Sequence, residues 1–239
     1  MGRRQGRKSF GRAAASRDVY EKILIVCEDE LTSPQYLNAH IRTLGLPRSI
    51  QAKATGDSNP TPDQVVAYAL KWLDGEKCRD GFGEHKTTVF CVIDRDEHEK
   101  FDSAMAELNG AAKQRNHLNK KVHIRAFPSY PCFEVWYLLH HVKTRKGFNR
   151  AGENSPADMV IKDLKKIPVF ANYDKGDNKH YEVLVPQQAT AMANAVWSKN
   201  DAIATGELNS STEVHELMDY LNNLKATMDA EKKASRRKR

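Results

Sequence analysis

Two short apolar runs, each ending in a cluster of acids, organise the first half of the chain. Ile23-Leu24-Ile25-Val26-Cys27 leads into Glu28-Asp29-Glu30, and Thr87-Thr88-Val89-Phe90-Cys91-Val92-Ile93 leads into Asp94-Arg95-Asp96. Such runs, rich in β-branched residues and bounded by charge, predict strands buried on both faces, as in a parallel sheet covered by helices. Helical signals recur between them. Ser33-Pro34 reads as an N-cap with proline at the first helical position, opening a helix that runs to Gly45, and Thr61-Pro62-Asp63-Gln64 reads as a capping box. Further strands are expected over 49–55 and 121–127, a polar turn region over 75–83, and a helix over about 97–108. Strands alternating with helices in this way predict an α/β fold with a mostly parallel sheet, right-handed crossovers and helices on both faces.

The pattern changes after residue 128. Pro131-Cys132-Phe133-Glu134-Val135-Trp136-Tyr137-Leu138-Leu139-His140 is apolar nearly all round and predicts a short buried helix. Ser155-Pro156-Ala157-Asp158 opens a capped helix that must stop before Pro168, and 171–182 reads as a loop. Helices are expected over about 186–200 and 212–231, the last with Val214, Leu217, Met218, Leu221, Leu224 and Met228 on one core-facing side. The expected organisation is a basic disordered tail at 1–17, an α/β core at 18–141, a mostly helical extension packed on it at 142–231, and a second basic tail at 232–239.

Charge alters this picture once it is divided along the chain. The net charge is +7, but residues 1–17 and 232–239 carry six Lys or Arg each with no acid, so the remainder carries about −5. An acidic body with basic ends suits a polyanion partner held through phosphate neutralisation, or else the ends are solubilising extensions. No run approaches the roughly 18–20 apolar residues of a membrane span, and the basic N-terminus lacks the apolar stretch of a secretory leader. The four cysteines show no CxxC spacing, and Cys27 and Cys91 fall inside predicted strands. Reduced core cysteines in a cytoplasmic protein is the expectation.

Acids at the C-terminal ends of parallel strands stand where α/β folds place ligands. If the two strands are neighbours, three or four carboxyl groups converge, and their repulsion calls for a proton or a cation. Asp-x-Asp on an extended segment directs Asp94 and Asp96 to one side and Arg95 to the other. Mg²⁺ or Mn²⁺ is the natural cation, because one or two carboxylates, waters and phosphate oxygens complete its shell. The bland alternative for an isolated Asp-x-Asp is a solvated acidic turn.

Three blocks resemble the RloB-like proteins. Ile23-Leu24-Ile25-Val26-Cys27-Glu28-Asp29-Glu30 with Thr32 resembles that family's first strand and its Cys-Glu-Gly-Glu-Lys-Thr-Glu continuation; Val92-Ile93-Asp94-Arg95-Asp96-Glu97-His98 is similar to its Asp-x-Asp strand; and Ser129 to His140 resembles its third block. The resemblance implies a Toprim-like fold, with Glu28, Asp94 and Asp96 as catalytic and metal-holding residues, and Glu30 and Glu134 as further ligands. It implies a Mg²⁺-dependent nuclease acting on RNA or DNA in bacterial antiphage defence beside an ATPase partner. A homo-oligomer is compatible with this reading. The chain departs from the pattern where Asp29 replaces glycine, Leu31 replaces lysine and Ser33 replaces a third acid. The alternative is a nucleic-acid-binding or regulatory subunit with an impaired metal site. A phosphohydrolase of the haloacid-dehalogenase kind is disfavoured, since Glu97-His98 stands where its nucleophile motif needs Thr or Val.

Other residues extend the candidate site. Glu134, among Phe133, Val135 and Trp136, needs a metal or a salt bridge to Arg125 or Arg95. His98 is placed to contact a phosphate or relay a proton, or else lies exposed in a first turn. Of the adjacent His140 and His141, at most one faces any given site, and hydrogen bonding in the core is the expected role. Lys143, Arg145, Lys146 and Arg150 around Phe148 form a basic loop suited to a nucleic-acid backbone and one stacked base, or a solvated loop. Arg95 joins them as a candidate contact, and Tyr173-Asp174-Lys175 and Lys179-His180-Tyr181 repeat the mixture downstream.

Overall fold

A computed structural model describes residues 21–55, 60–80, 86–118, 122–177 and 179–237. The strands are β1 (Lys22–Cys27), β2 (Ile50–Ala54), β3 (Thr87–Asp94), β4 (Val122–Tyr130) and β5 (Ser211–Thr212). They form one sheet in the order β2-β1-β3-β4-β5. The first four are parallel, and β5 pairs antiparallel with the end of β4. The helices of the α/β half are α1 (Thr32–Thr43), α2 (Pro62–Asp80) and α3 (Phe101–Leu118). The rest are α4 (Glu134–Leu139), α5 (Pro156–Leu164), α6 (His180–Leu184), α7 (Gln188–Thr205) and α8 (Val214–Arg237).

Strand alternation divides the core. Leu24 and Val26 of β1 with Val89, Cys91 and Ile93 of β3 face Val65, Val66, Ala69 and Leu73 of α2 and Phe101, Ala104 and Leu108 of α3. Ile23, Ile25 and Cys27 with Phe90 and Val92 face the opposite way, into a cluster shared with α1 and α4–α8. A strand buried on both faces has no polar positions to alternate with, which is why these segments read as unbroken apolar runs. α8 lays Val214, Leu217, Met218 and Leu221 fully into that cluster and partly buries Leu224. Cys27, Cys91 and Cys132 are buried free thiols, each pushed up in pKa chiefly by burial.

Local signals set several boundaries. The Thr61 N–H donates to Gln64 Oε1 at 2.8 Å, one of the two bonds of the expected box at the start of α2. Ser155 and Asp158 form the reciprocal capping box of α5. Past α1, Gly45 adopts φ 63°. Its N–H bonds to the Arg42 carbonyl at 2.9 Å and the Leu46 N–H to the Ile41 carbonyl at 3.1 Å, the paired bonds of a Schellman stop.

Other boundaries depart from expectation. Ser33 does not cap α1, which starts at Thr32 without a side-chain bond from its N-cap residue. Residues 75–80 continue α2 rather than turning, because burial of its inner face outweighs one interior glycine; 81–83 lie outside the described residues. α3 starts at Phe101, since Asp96–Lys100 is held in turns, and runs ten residues beyond the expected Leu108 to Leu118. Residues 232–237, expected as a tail, are the end of α8. The tail expected at 1–17 lies outside the described residues. No helix among the described residues is long and apolar enough to cross a membrane.

Candidate functional site

The two acid-ended strands are neighbours. β1 pairs with β3 in parallel register, Cys27 opposite Val92, and the Glu28 N–H continues the ladder to the Val92 carbonyl at 3.0 Å. The chain crosses to β2 on one side of β1 and to β3 on the other, so the gap beyond Cys27 and Asp94 is the point where strand order reverses. Open parallel sheets leave a ligand crevice there. In this protein it is a cavity of about 320 Å³ lined by Glu28, Asp29, Glu30, Leu31, Pro60, Asp94, Asp96, His98 and Lys175.

Glu28 is 7% exposed, and its Oε2 accepts from the Asp94 N–H at 2.9 Å. Burial, followed by the nearby charges of Asp96 and Asp29, raises it to about 8 despite that hydrogen bond. Asp94 is pushed well above the usual carboxylate range by desolvation and by Glu28, Glu134 and Asp29, with Lys175 opposing. Asp96 Oδ1 accepts from the His98 N–H at 3.0 Å, and its Oδ2 lies 3.6 Å from His98 Nε2. Glu30 is exposed at the cavity rim.

Asp29 has a different task. Its Oδ1 accepts from the N–H groups of Leu31 at 3.1 Å and Ser33 at 3.0 Å, and its Oδ2 accepts from the Ser33 N–H at 3.1 Å and from the Ser33 hydroxyl. A charged acceptor competes better than a hydroxyl for the orphan donors of a helix N-terminus, which explains why Asp29 and not Ser33 caps α1. The acid that replaces glycine in the family pattern thus fixes the strand-to-helix turn. Burial raises its pKa, moderated by Ser33.

Glu134, 1% exposed, opens α4 behind the cavity lining, near enough that its charge raises Asp94 and Asp29. It pairs with neither Arg125 nor Arg95. Its Oε1 accepts from the Tyr173 hydroxyl at 2.9 Å and the Thr32 hydroxyl at 3.3 Å, and lies 3.5 Å from Lys175 Nζ. Arg125 instead pairs with Glu213 and Glu216. Arg95 turns away from the cavity: its guanidinium stands 4.8 Å from the Phe101 ring centre, bonds the Asp96 carbonyl at 3.0 Å and reaches Asp102 at 3.5 Å. His140 is a core group, its Nδ1 2.8 Å from the Trp136 carbonyl and its Nε2 3.4 Å from the Tyr36 hydroxyl.

The basic loop is not among the residues lining this cavity, and the protein's own acids, carbonyls and one aromatic ring engage its cations. Arg145 is paired with Asp201 at 3.1 Å and bonds the Ser210 carbonyl at 2.6 Å. Lys146 reaches Asp163 at 2.5 Å, Arg150 bonds Glu97 Oε2 at 2.8 Å, and Lys143 lies 4.6 Å from the Trp197 ring centre. Phe148 is 1% exposed, so the expected base-stacking ring is part of the core.

Among the described residues, no three His, Cys, Asp or Glu side chains are already arranged to hold a metal ion. The donor chemistry nonetheless fits a hard divalent cation. The groups are all oxygen donors, they repel one another, and a cation that keeps most of its water needs only one or two carboxylates. Pro60 is a lining residue that sequence reasoning missed, and Lys175, named there only within a basic and aromatic stretch, was not connected with the strand-end acids. The turn signals Asp174 and Gly176 marked the loop carrying Lys175, but only tertiary packing brings it to the strand ends.

A family model for RloB-like proteins matches residues 23–221 of the 239. The chain belongs to the RloB-like protein family. The matched region runs from β1 into α8, so the added helices and the loop bearing Lys175 belong to it together with the strand-end acids. No curated protein and no solved structure matches the chain.

Proposed function

We propose that this protein is a metal-dependent nuclease of Toprim type that cleaves phosphodiester bonds in RNA or DNA. The observation that carries the reading is the convergence of Glu28, Asp94 and Asp96 at the end of adjacent parallel strands, with raised carboxyl pKa values at Glu28 and Asp94. Glu28, Asp94 and Asp96 would hold one or two Mg²⁺ or Mn²⁺ ions, with Glu30 at the rim as a further oxygen donor. A bound divalent cation supplies charge neutralisation at a phosphodiester and an activated water. In the alternative to metal ligation, Glu28, beside the backbone of Asp94 and raised to about 8 in metal-free protein, serves as general acid or base. Asp96 fixes His98 at the mouth, where an imidazole can meet a phosphate. By family resemblance, the activity belongs to antiphage defence and is governed by an ATPase partner.

The test is cleavage of RNA and DNA with and without Mg²⁺, using Glu28→Gln and Asp94→Asn as controls. Metal-dependent cleavage by the parent and losses of roughly a hundredfold or more in both variants are expected. Equal cleavage by parent and variants removes the catalytic assignment. A second reading, a binding subunit without catalysis, draws on Asp29 serving as a helix cap and on the absence of a ready-made three-group arrangement among the described residues. It predicts strand binding with no cleavage at any metal concentration.

A further inference from the structure

The cavity carries one permanently charged cation among its described lining residues, Lys175. It comes from the loop between α5 and α6, far in sequence from either acid cluster. The loop is pinned at both ends. Tyr173 is buried and stacks on His180 with ring centres 4.7 Å apart, while its hydroxyl donates to Glu134. Between these anchors, Asp174 Oδ1 accepts from the Gly176 N–H at 3.2 Å and Asp177 Oδ1 from the Lys179 N–H at 2.9 Å, a pair of side-chain-bonded turns that fix the tip.

Lys175 Nζ is 3.5 Å from the buried Glu134 carboxylate, yet the lysine side chain is 46% exposed. Half-exposed and lining the cavity, the lysine is open to a ligand there while it holds Glu134. An ammonium has three donors, and Glu134 holds this one as its ion partner. The lysine lines the cavity in which a ligand of the strand-end acids would lie.

We propose that Lys175 is the phosphate-contacting cation of this site, held by Glu134 so that its free donors take a non-bridging oxygen of the nucleic-acid strand. This rests on the nuclease reading above. It also gives Glu134 a task other than metal ligation, that of tying the lysine arm from the helical half to the acidic strand ends. Lys175 and a divalent cation share one field of carboxylates, so removing the lysine charge has opposite consequences for the two ligands. The strand loses a contact, and the metal loses a competitor.

The experiment compares the full chain with Lys175→Met and Lys175→Arg in two measurements that need no turnover. One is binding of fluorescent single-stranded RNA and DNA oligonucleotides in Ca²⁺ across a salt series; the other is Mn²⁺ binding followed by its spin resonance. In Lys175→Met the slope of log affinity against log salt is expected to fall by about one phosphate contact. Mn²⁺ affinity is expected to rise several-fold, and Lys175→Arg to keep the parent slope. Where the parent cleaves, Lys175→Met lowers kcat/KM roughly a hundredfold. An unchanged salt slope, a parent that binds neither strand, or weaker Mn²⁺ binding in Lys175→Met overturns the proposal. Strand binding with the expected slope change but no cleavage by the parent upholds Lys175 as a phosphate contact and sinks the nuclease reading alone.

Discussion

Two clusters of ionisable groups lie against the same sheet, and they have opposite characters. Beside β4 and α8, Arg125 and Lys199 face Glu213 and Glu216, with Arg125 3.2 Å from Glu213 and Lys199 3.0 Å from Glu213. Two cations meet two carboxylates, and every resolved shift favours charge. Burial would lower Arg125 and Lys199 and raise Glu216, but hydrogen bonds across the cluster reverse each of these tendencies. At the ends of β1 and β3, one lysine, paired with Glu134, opposes the charges of Asp29 and Asp94, and Glu28, Asp29 and Asp94 are all shifted toward the neutral form. The balanced cluster also borders the larger cavity, about 820 Å³. Size does not distinguish the two. The excess of like charge does, because a group whose charge is already matched has little to offer a ligand, whereas an unmatched one holds affinity for a cation in reserve.

The largest effect expected from breaking this contrast is at Asp94 and Glu28. Asp94→Asn and Glu28→Gln remove one repelling carboxylate each, so cleavage should fall by roughly a hundredfold or more while the melting temperature of metal-free protein rises. A residue held for stability behaves the other way. Calorimetry of the two variants in chelator, beside the cleavage assay, checks the pair of signs. Melting temperatures that fall in both variants would place these acids with the balanced cluster.

The next effect is the pH dependence of stability without metal. Glu28 is raised from 4.5 to about 8 in the folded protein. The folded state therefore keeps a proton that the unfolded chain has released, and the stability this contributes is complete below about pH 4.5 and lost as pH rises through 8. His40 and His140 act in the opposite sense: burial lowers both to about 4, so they cost stability as pH falls below about 6.5 and are neutral in both states above it. Between pH 6.5 and 8.5 the falling limb thus belongs to the acidic site. Urea titrations across that window should show stability declining by an amount on the order of a few kcal/mol, a decline made smaller in Glu28→Gln and by millimolar Mg²⁺. A flat profile in metal-free parent protein contradicts the assignment.

The comparison also separates what the sequence displays from what only the fold creates. β1 and β3 are legible because strands covered on both faces are written as continuous apolar runs, and their acids are legible because such a run must end where charge begins. Ser155 and Thr61 announce their helices because the cap and its reciprocal partner sit three residues apart. The same local logic misreads Ser33, because the stronger acceptor, Asp29, lies four residues upstream. It also misreads the loop around Phe148, where mixed basic and aromatic residues suggest a strand-binding surface until packing shows the ring in the core and Arg145 bound to Asp201. Lys175 and Glu134 are 41 positions apart in sequence. Nothing local connects them, since their 3.5 Å approach follows from Tyr173 docking beside α4. β5, only two residues long, carries no periodicity at all.

Smaller effects test the balanced side. Glu216→Gln leaves Arg125 and Lys199 with Glu213 alone. Because these side chains are 24–39% exposed, water screens the loss, and about 1 kcal/mol is expected, a fall of roughly 2–4 °C in melting temperature. Cleavage should not change, since the cluster lies outside the acidic cavity. The smallest effect is at Arg150 and Glu97, which pair across the surface with side chains 52% and 48% exposed. Two long side chains in that much water gain little by meeting, so Arg150→Ala and Glu97→Ala should each leave the melting temperature unchanged within scan error. Partner number decides this ordering: Glu216 receives two cations and Glu97 receives one. A larger fall for Arg150→Ala than for Glu216→Gln would mean that the surface pair, and not the four-membered cluster, fastens the second half of the chain to the sheet.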